Sequence, residues 1–515
     1  MKSVIRVGLT IVCIVAIFNS CLDAVNDIPP FIQSISPTVG TANTQVTIKG
    51  TDFEISPTAN TVKFNGKTAI IVSGNPFELV VLVPENAGTG KVSVTTSSGT
   101  TEGPEFKYLN ALTIASVDPL SGRAGDQVTI TGENFDDLPG GTIVRFNGSA
   151  ANVISLTTTQ VVVSVPEGAG TGKITVRTGA GVVEGPAFEY LFSAVVSTYA
   201  GDGTAGFANG NALEARFNLP TDMVFDQSNN LYVCDSQNNL IRLVTPEAVV
   251  STFAGSGSLA SVDGNGIAAQ FARPNFITVN VDGNLFVTES FSGNIRKIAA
   301  DAEVTTLAGS GSNGYSDGTG TGASFNTPAG LVINPQGLFF VGDQGNTRVR
   351  QMTSIGEVST LAGNSTPAYT DGTGTGASFM SPYGLAVDNV GEIIVADLNK
   401  IRRVNLDGVV TTFTGKETAG WIDGTLETAE FNGLRGVARW KNDFIIVADG
   451  GNHVIRMITP AGTVITIAGD GTSGYVNGNG HEAKFNFPNG ISVNSRNEIF
   501  VADRLNHVIR KIVLK

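Results

Sequence analysis

Aspartates stand at the same place in five of six recurring segments: Asp235, Asp343, Asp397, Asp449 and Asp503, with Glu289 in the remaining one. A ring of carboxylates at one height could hold a divalent cation, which takes hard oxygen ligands. The structural reading is the stronger one. Each carboxylate caps its own turn and pairs with an arginine downstream, as Arg242, Arg350 and Arg456 are placed to do. Asp-Gly and Asn-Gly pairs at 209–210, 263–264, 317–318, 371–372, 423–424 and 477–478 are turn chemistry. They lack the Asp-x-Asp-x-Asp-Gly spacing of a calcium loop.

A second recurring position holds Phe207, Tyr315, Tyr369, Trp421 and Tyr475, with Ser261 as the exception. Aromatic rings on a Gly-rich polar surface can stack on sugars or grip a peptide. Equally, each ring can fold under its own loop and seal neighbouring units; a fixed repeat position favours that. A third position varies on a constant frame: Thr221, Asn275, Ala329, Tyr383, Arg435 and Asn489. Such variety is what a non-symmetric ligand needs.

Other chemistry is thin. Gly201-x-Gly203-x-x-Gly206, Gly309-x-Gly311-x-x-Gly314 and Gly469-x-Gly471-x-x-Gly474 match the dinucleotide string, but no helix pattern follows. There is no G-x-S-x-G elbow. The three histidines are His453, His481 and His507; His453 and His507 share one repeat position and read as structural. No catalytic set and no cofactor follows from these residues. A non-enzymatic protein is the favoured reading.

The elements that position these residues are set by period. Glycines 201, 255, 309, 363, 415 and 469 end similar strands, from AVVSTYAG at 194–201 to TVITIAG at Gly469. Phe217, Phe271, Phe325, Phe379, Phe431 and Phe485 open a second motif in step with them. The last copy of the second motif has no strand after it, and the first strand has no motif before it. A ring in which 194–201 completes the sixth unit satisfies both ends. Strand-only units at this period predict a six-bladed β-propeller over 193–515. In each unit four strands, a to d, are expected. Loops b–c and d–a share one face, and the d–a loops are long. Long loops on a rigid frame are where binding usually sits. Asp222, Phe276 and Leu434 break the frame, and the fourth unit is two residues short after Asp397, so those blades are expected to be irregular.

Upstream lies a second repeat. Gly50 and Gly132, Phe64 and Phe146, Pro84 and Pro166, and Tyr108 and Tyr190 share one spacing. Alternating strands such as QVTIKG and QVTITG, with Asn-Gly turns, predict two β-sandwiches at 30–109 and 110–192. The fold class is therefore all-β. Composition agrees: 63 glycines in 515 residues and only 15% charged side chains. A net charge of −13 disfavours nucleic acid as a partner. Lys2 and Arg6 precede an apolar run at 8–18 and then Cys21, so 1–20 reads as a targeting segment and 21–29 as a tether.

Three resemblances follow from these motifs. The two sandwiches resemble IPT/TIG immunoglobulin-like domains, a family that implies spacers and contact modules. The ring resembles NHL repeats, on Pro328, Gly330, Asp343, Asn346 and Arg350, and on Pro488, Gly490, Asp503, Asn506 and Arg510. The leader resembles a bacterial lipoprotein signal, which implies lipidation of Cys21. Together they resemble surface glycan-binding proteins of Bacteroidetes-type bacteria. That implies a protein anchored by lipid in the cell outer membrane, surface-exposed, recognising a glycan or an envelope protein on the d–a face. The alternative is a six-bladed hydrolase, lyase or lactonase with a carboxylate or metal site at the channel mouth.

Overall fold

The computed structural model describes residues 28–136 and 140–515. Its regular elements there are β-strands and three-residue 3-10 turns. The chain divides into two units, one ending at Tyr190 and the other spanning Leu191–Lys515. The targeting segment and Cys21 lie outside the described residues.

The first unit holds two sandwiches of one design. In the first, strands Phe31–Ser36, Gln45–Thr51, Glu78–Leu82 and Ile70–Asn75 form one sheet. Val39–Gly40, Gly99–Tyr108, Gly90–Thr96, Thr61–Phe64 and Lys67–Thr68 form the other. The second sandwich repeats this order with its own strands. Alternation drives the packing: Val46, Ile48, Leu79, Val81, Val92 and Val94 face inward and are fully buried. Phe64 meets Phe106 edge to face at 5.0 Å, and Phe146 meets Phe188 at 4.8 Å. Phe64 and Phe146 are among the residues that made the repeat visible.

The second unit is a closed ring of six sheets. Innermost strands run Pro220–Phe225, Pro274–Val279, Pro328–Ile333, Pro382–Val387, Leu434–Arg439 and Pro488–Val493, each beside the next, and the last touches the first. Blade six is completed by Ala194–Ala200, which pairs antiparallel with Val508–Leu514 from Ala194 opposite Leu514 to Ala200 opposite Ile509. Blades one, two and five keep the pairing and the bulge of the others despite Asp222, Phe276 and Leu434, contrary to the expected irregularity. The hydrogen-bonded frame, not the residue at that site, fixes the strand. Blade four differs where two residues are missing: Asp397 pairs with Lys400 across a bare Leu398-Asn399 turn.

Each blade has five strands rather than four. A two-residue strand, such as Gly318–Thr319, pairs with the start of strand d, here Glu357–Ala362. The start of strand d lies at the face opposite the d–a loop. Each long d–a segment therefore descends the outer edge of the next blade and returns. Much of what reads as a free loop is a fifth strand with its turns.

Candidate functional site

The b–c and d–a loops share what we call the upper face. Six arginines beneath it, Arg242, Arg296, Arg350, Arg402, Arg456 and Arg510, have no exposed surface. Arg350 shows the pattern. Its Nη1 donates to Asp343 at 2.8 Å and its Nη2 to Asp317 at 2.6 Å. The carbonyls of Ser324 and Ser316 accept the remaining bonds, and the Phe325 ring lies 5.2 Å away. Asp343 in turn accepts the Asn326 backbone N–H at 2.8 Å and the Asn346 amide at 2.9 Å. Burial pushes the Asp397, Asp449 and Asp503 carboxyls up to about 6, with arginine and amide donors opposing it. Every strand-end carboxylate is thus engaged by an arginine and a turn. The Asp of the Asp-Gly pair, read from sequence as turn chemistry alone, is the second carboxylate in blades two to five; Asn209 and Asn477 replace it in blades one and six. Among the described residues no three His, Cys, Asp or Glu side chains group as metal ligands.

The candidate aromatics lie at the outer edge, one in each blade but the second, where Ser261 stands. The Tyr315 hydroxyl meets Thr360 at 3.0 Å, Trp421 Nε1 donates to Thr466 at 3.0 Å, and the Tyr475 hydroxyl meets Thr198 at 2.7 Å, each on strand d of its own blade. The Tyr369 hydroxyl instead accepts the Asn399 backbone N–H at 3.3 Å. Phe207 is 55% exposed and Trp421 44%, so these rings are anchored on one side and open on the other. The Gly-x-Gly-x-x-Gly strings now have a local cause. Gly203 has φ +86°, and a Cβ there would stand 3.1 Å from the Tyr475 ring; one at Gly471 would collide with Trp421. Beside Phe207, a hollow of 530 Å³ is lined by Asn238, Thr252, Gly257 and Ile267.

The variable third position converges on the channel mouth. Tyr383 is 8% exposed and reaches across the axis. Its O–H donates to Asn275 at 3.4 Å, and the Asn489 amide donates to it at 3.3 Å. Arg435 lies over the same ring at 4.6 Å and over Phe487 at 4.8 Å. Asn275, Tyr383 and Asn489 are buried, so they close the mouth; Arg435 stays partly exposed above them. Thr221 and Ala329 are buried in the same ring. Below lies a cavity of 220 Å³ lined by all six inner strands, Asp222, Phe276 and Leu385 among them. Burial pushes the Asp222 carboxyl up to about 8, against the pull of the Ile277 and Met223 backbone N–H groups. It is therefore neutral at pH 7. His453 and His507 accept the backbone N–H of Phe487 and Leu219, at 3.1 and 3.2 Å, each tying its blade to the next. Burial lowers both their pKa values, which keeps the accepting nitrogen unprotonated.

Sequence reasoning missed Arg273 and Arg504, which approach this mouth from positions that vary from blade to blade. Arg504 sits in the b–c turn of blade six, and Arg273 precedes strand a of blade two. No periodic signal marks either.

Family comparison agrees with this geometry. The IPT/TIG domain model matches residues 30–108 and 112–190, and the NHL repeat model matches 485–512. The chain carries two IPT/TIG domains and an NHL repeat. Protein SUPPRESSOR OF QUENCHING 1, chloroplastic, of Arabidopsis thaliana is 28% identical over 170 residues, which is 29% of this chain and 16% of that one. NHL repeat-containing protein 2 of Homo sapiens is 29% identical over 160 residues, 29% of this chain and 21% of the relative. The chain thus spans a small part of these curated relatives. A Bacteroides thetaiotaomicron VPI-5482 protein of unknown function aligns with 78% of this chain and 98% of its own at 19% identity and a TM-score of 0.52. That last likeness is one of fold alone. The NHL match covers blade six, and the other five blades of the propeller share its strand order and arginine network.

Proposed function

We propose that this is a lipid-anchored protein of the cell envelope that binds an extended glycan along the propeller rim. The observation that carries the reading is the set of half-exposed aromatics at the rim, of which Tyr315, Trp421 and Tyr475 are each fixed by a hydrogen bond to strand d. A ring whose orientation is already set loses little entropy on stacking against a sugar. The hollow beside Phe207 has the size of a small-ligand site. The rings stand in five of the six blades, so the ligand follows the circumference. Phe207, Tyr315, Tyr369, Trp421 and Tyr475 are its contacts. In this reading Cys21 carries the anchor, in the outer membrane.

A glycan-array screen of the purified protein tests the binding. Trp421→Ala and Phe207→Ala each weaken retention by about tenfold, since roughly 1.4 kcal/mol is a factor of ten and one stacked ring is worth about that much. No retained glycan, or variants that bind as well as the parent, overturns it. The anchor has its own readout. Protein extracted from membranes has a mass above that of the chain starting at Cys21, and Cys21→Ser moves the protein to the soluble fraction. Unchanged mass and distribution reject the anchor alone.

A further inference from the structure

The arginines at the channel mouth form no ion pair. Of the ion pairs among the described residues, none involves Arg273, Arg435 or Arg504, although every buried arginine below them has a carboxylate partner. The Nε atoms of Arg435 and Arg504 are buried without an acceptor. Both side chains are partly withdrawn from water, so neither is a fully solvated surface charge. Burial lowers the Arg504 pKa, and the positive charges of Arg435 and Arg273 lower it further. The Arg435 stem is packed in place: a Cβ at Gly450 would lie 2.8 Å from its Cγ. Asp222, deeper in the channel, is neutral and offers no counter-charge. In a chain of net charge −13 this is a local excess of positive charge.

Like charges held together and partly dehydrated are costly unless something negative joins them. The guanidinium fork matches a carboxylate or a tetrahedral oxyanion with two parallel N–H bonds. Arg435 lies over the buried Tyr383 ring at 4.6 Å, which fixes the plane of its guanidinium. We propose that the channel mouth is an anion site, where Arg435 and Arg504, aided by Arg273, hold the carboxylate of an acidic sugar. The sugar class rests on the glycan reading; the anion site does not.

The test uses the purified protein at low salt, with tri-galacturonate, neutral galactotriose and inorganic sulfate as probes. Calorimetry is expected to show tri-galacturonate binding about tenfold tighter than galactotriose. Arg435→Gln and Arg504→Gln each weaken the acidic sugar about tenfold and leave the neutral one unchanged, while Arg504→Lys keeps part of the affinity. Sulfate raises the melting temperature of the parent and not of either Gln variant; melting without sulfate shows that the variants fold. Acid binding and sulfate stabilisation that survive in both Gln variants overturn the site. Sulfate stabilisation lost in both variants, with no saccharide bound at all, keeps the anion site and rejects the glycan. Saccharide binding that ignores charge and depends only on Trp421 does the reverse.

Discussion

A chain lacking residues 191–200 does not close its propeller. Strand Val508–Leu514 then loses its outer neighbour along its whole length, from Ile509 to Leu514. Val196 leaves a core that includes Ile467, Phe485 and Ile512, Ala200 leaves a second that includes Phe217 and Ile509, and Phe192 no longer packs on Phe444. What remains is an apolar sheet edge with unpaired backbone groups, a template for association between chains. The stability at stake is comparable with the whole of a typical domain's, about 5–15 kcal/mol. Residues 201–515 expressed alone are expected to aggregate and to melt without a cooperative transition. Adding a peptide of residues 191–201 restores part of the transition. A monomeric 201–515 fragment melting within a few degrees of the parent would show that the closing strand is dispensable.

Arg350→Met is the second large effect. Methionine roughly fills the stem's volume but leaves Asp343 fully buried with no cation. Breaking one side of a buried pair costs about 3–5 kcal/mol, chiefly through the stranded charge. The cost depends on pH in a definite direction. In the parent, burial already raises the Asp343 pKa while Arg350 pulls it down. Without Arg350 the folded pKa rises further above the unfolded value. A raised carboxyl binds its proton in the folded state, so folding is penalised above the ordinary carboxylate range and relieved as pH falls. Urea unfolding at pH 5 and pH 8 checks this: the deficit against the parent is smaller at pH 5. Arg350→Met with Asp343→Asn recovers part of the loss at pH 8. Equal deficits at both pH values would mean that packing, not charge, sets the cost. The exposed pair Lys91–Glu102 is the contrast: both side chains are 63% exposed, and Lys91→Ala unfolds at a urea midpoint indistinguishable from the parent's.

The ring, its closure and the two sandwiches were legible because repetition turns weak local signals into strong ones. Six copies of a Phe, with a Pro in five and an Asp-to-Arg step in five, leave little freedom. The fifth strand was not legible. Gly318–Thr319 and its counterparts are two residues long and rich in glycine, so nothing in them alternates. Their pairing is imposed by strand d. The second carboxylate on each arginine was hidden by the turn role that Asp-Gly also performs. One hint was available: an arginine in the middle of a buried strand needs more acceptors than one aspartate supplies. Tyr383 shows the opposite case. Its departure from the repeat was visible, but its reach across to Asn275 and Asn489 depends on the channel's width, which no single strand encodes.

The closing strand also has a consequence for how the protein is made. Ala194–Ala200 leaves the ribosome about 300 residues before its partner at Val508–Leu514 exists. At a typical synthesis rate that wait lasts tens of seconds. Throughout it the growing chain holds a strand with no sheet to join while blades one to five assemble beside it. Only Val508–Leu514 lets Ala194–Ala200 settle, so the disc becomes a single cooperative body once that later segment has been made.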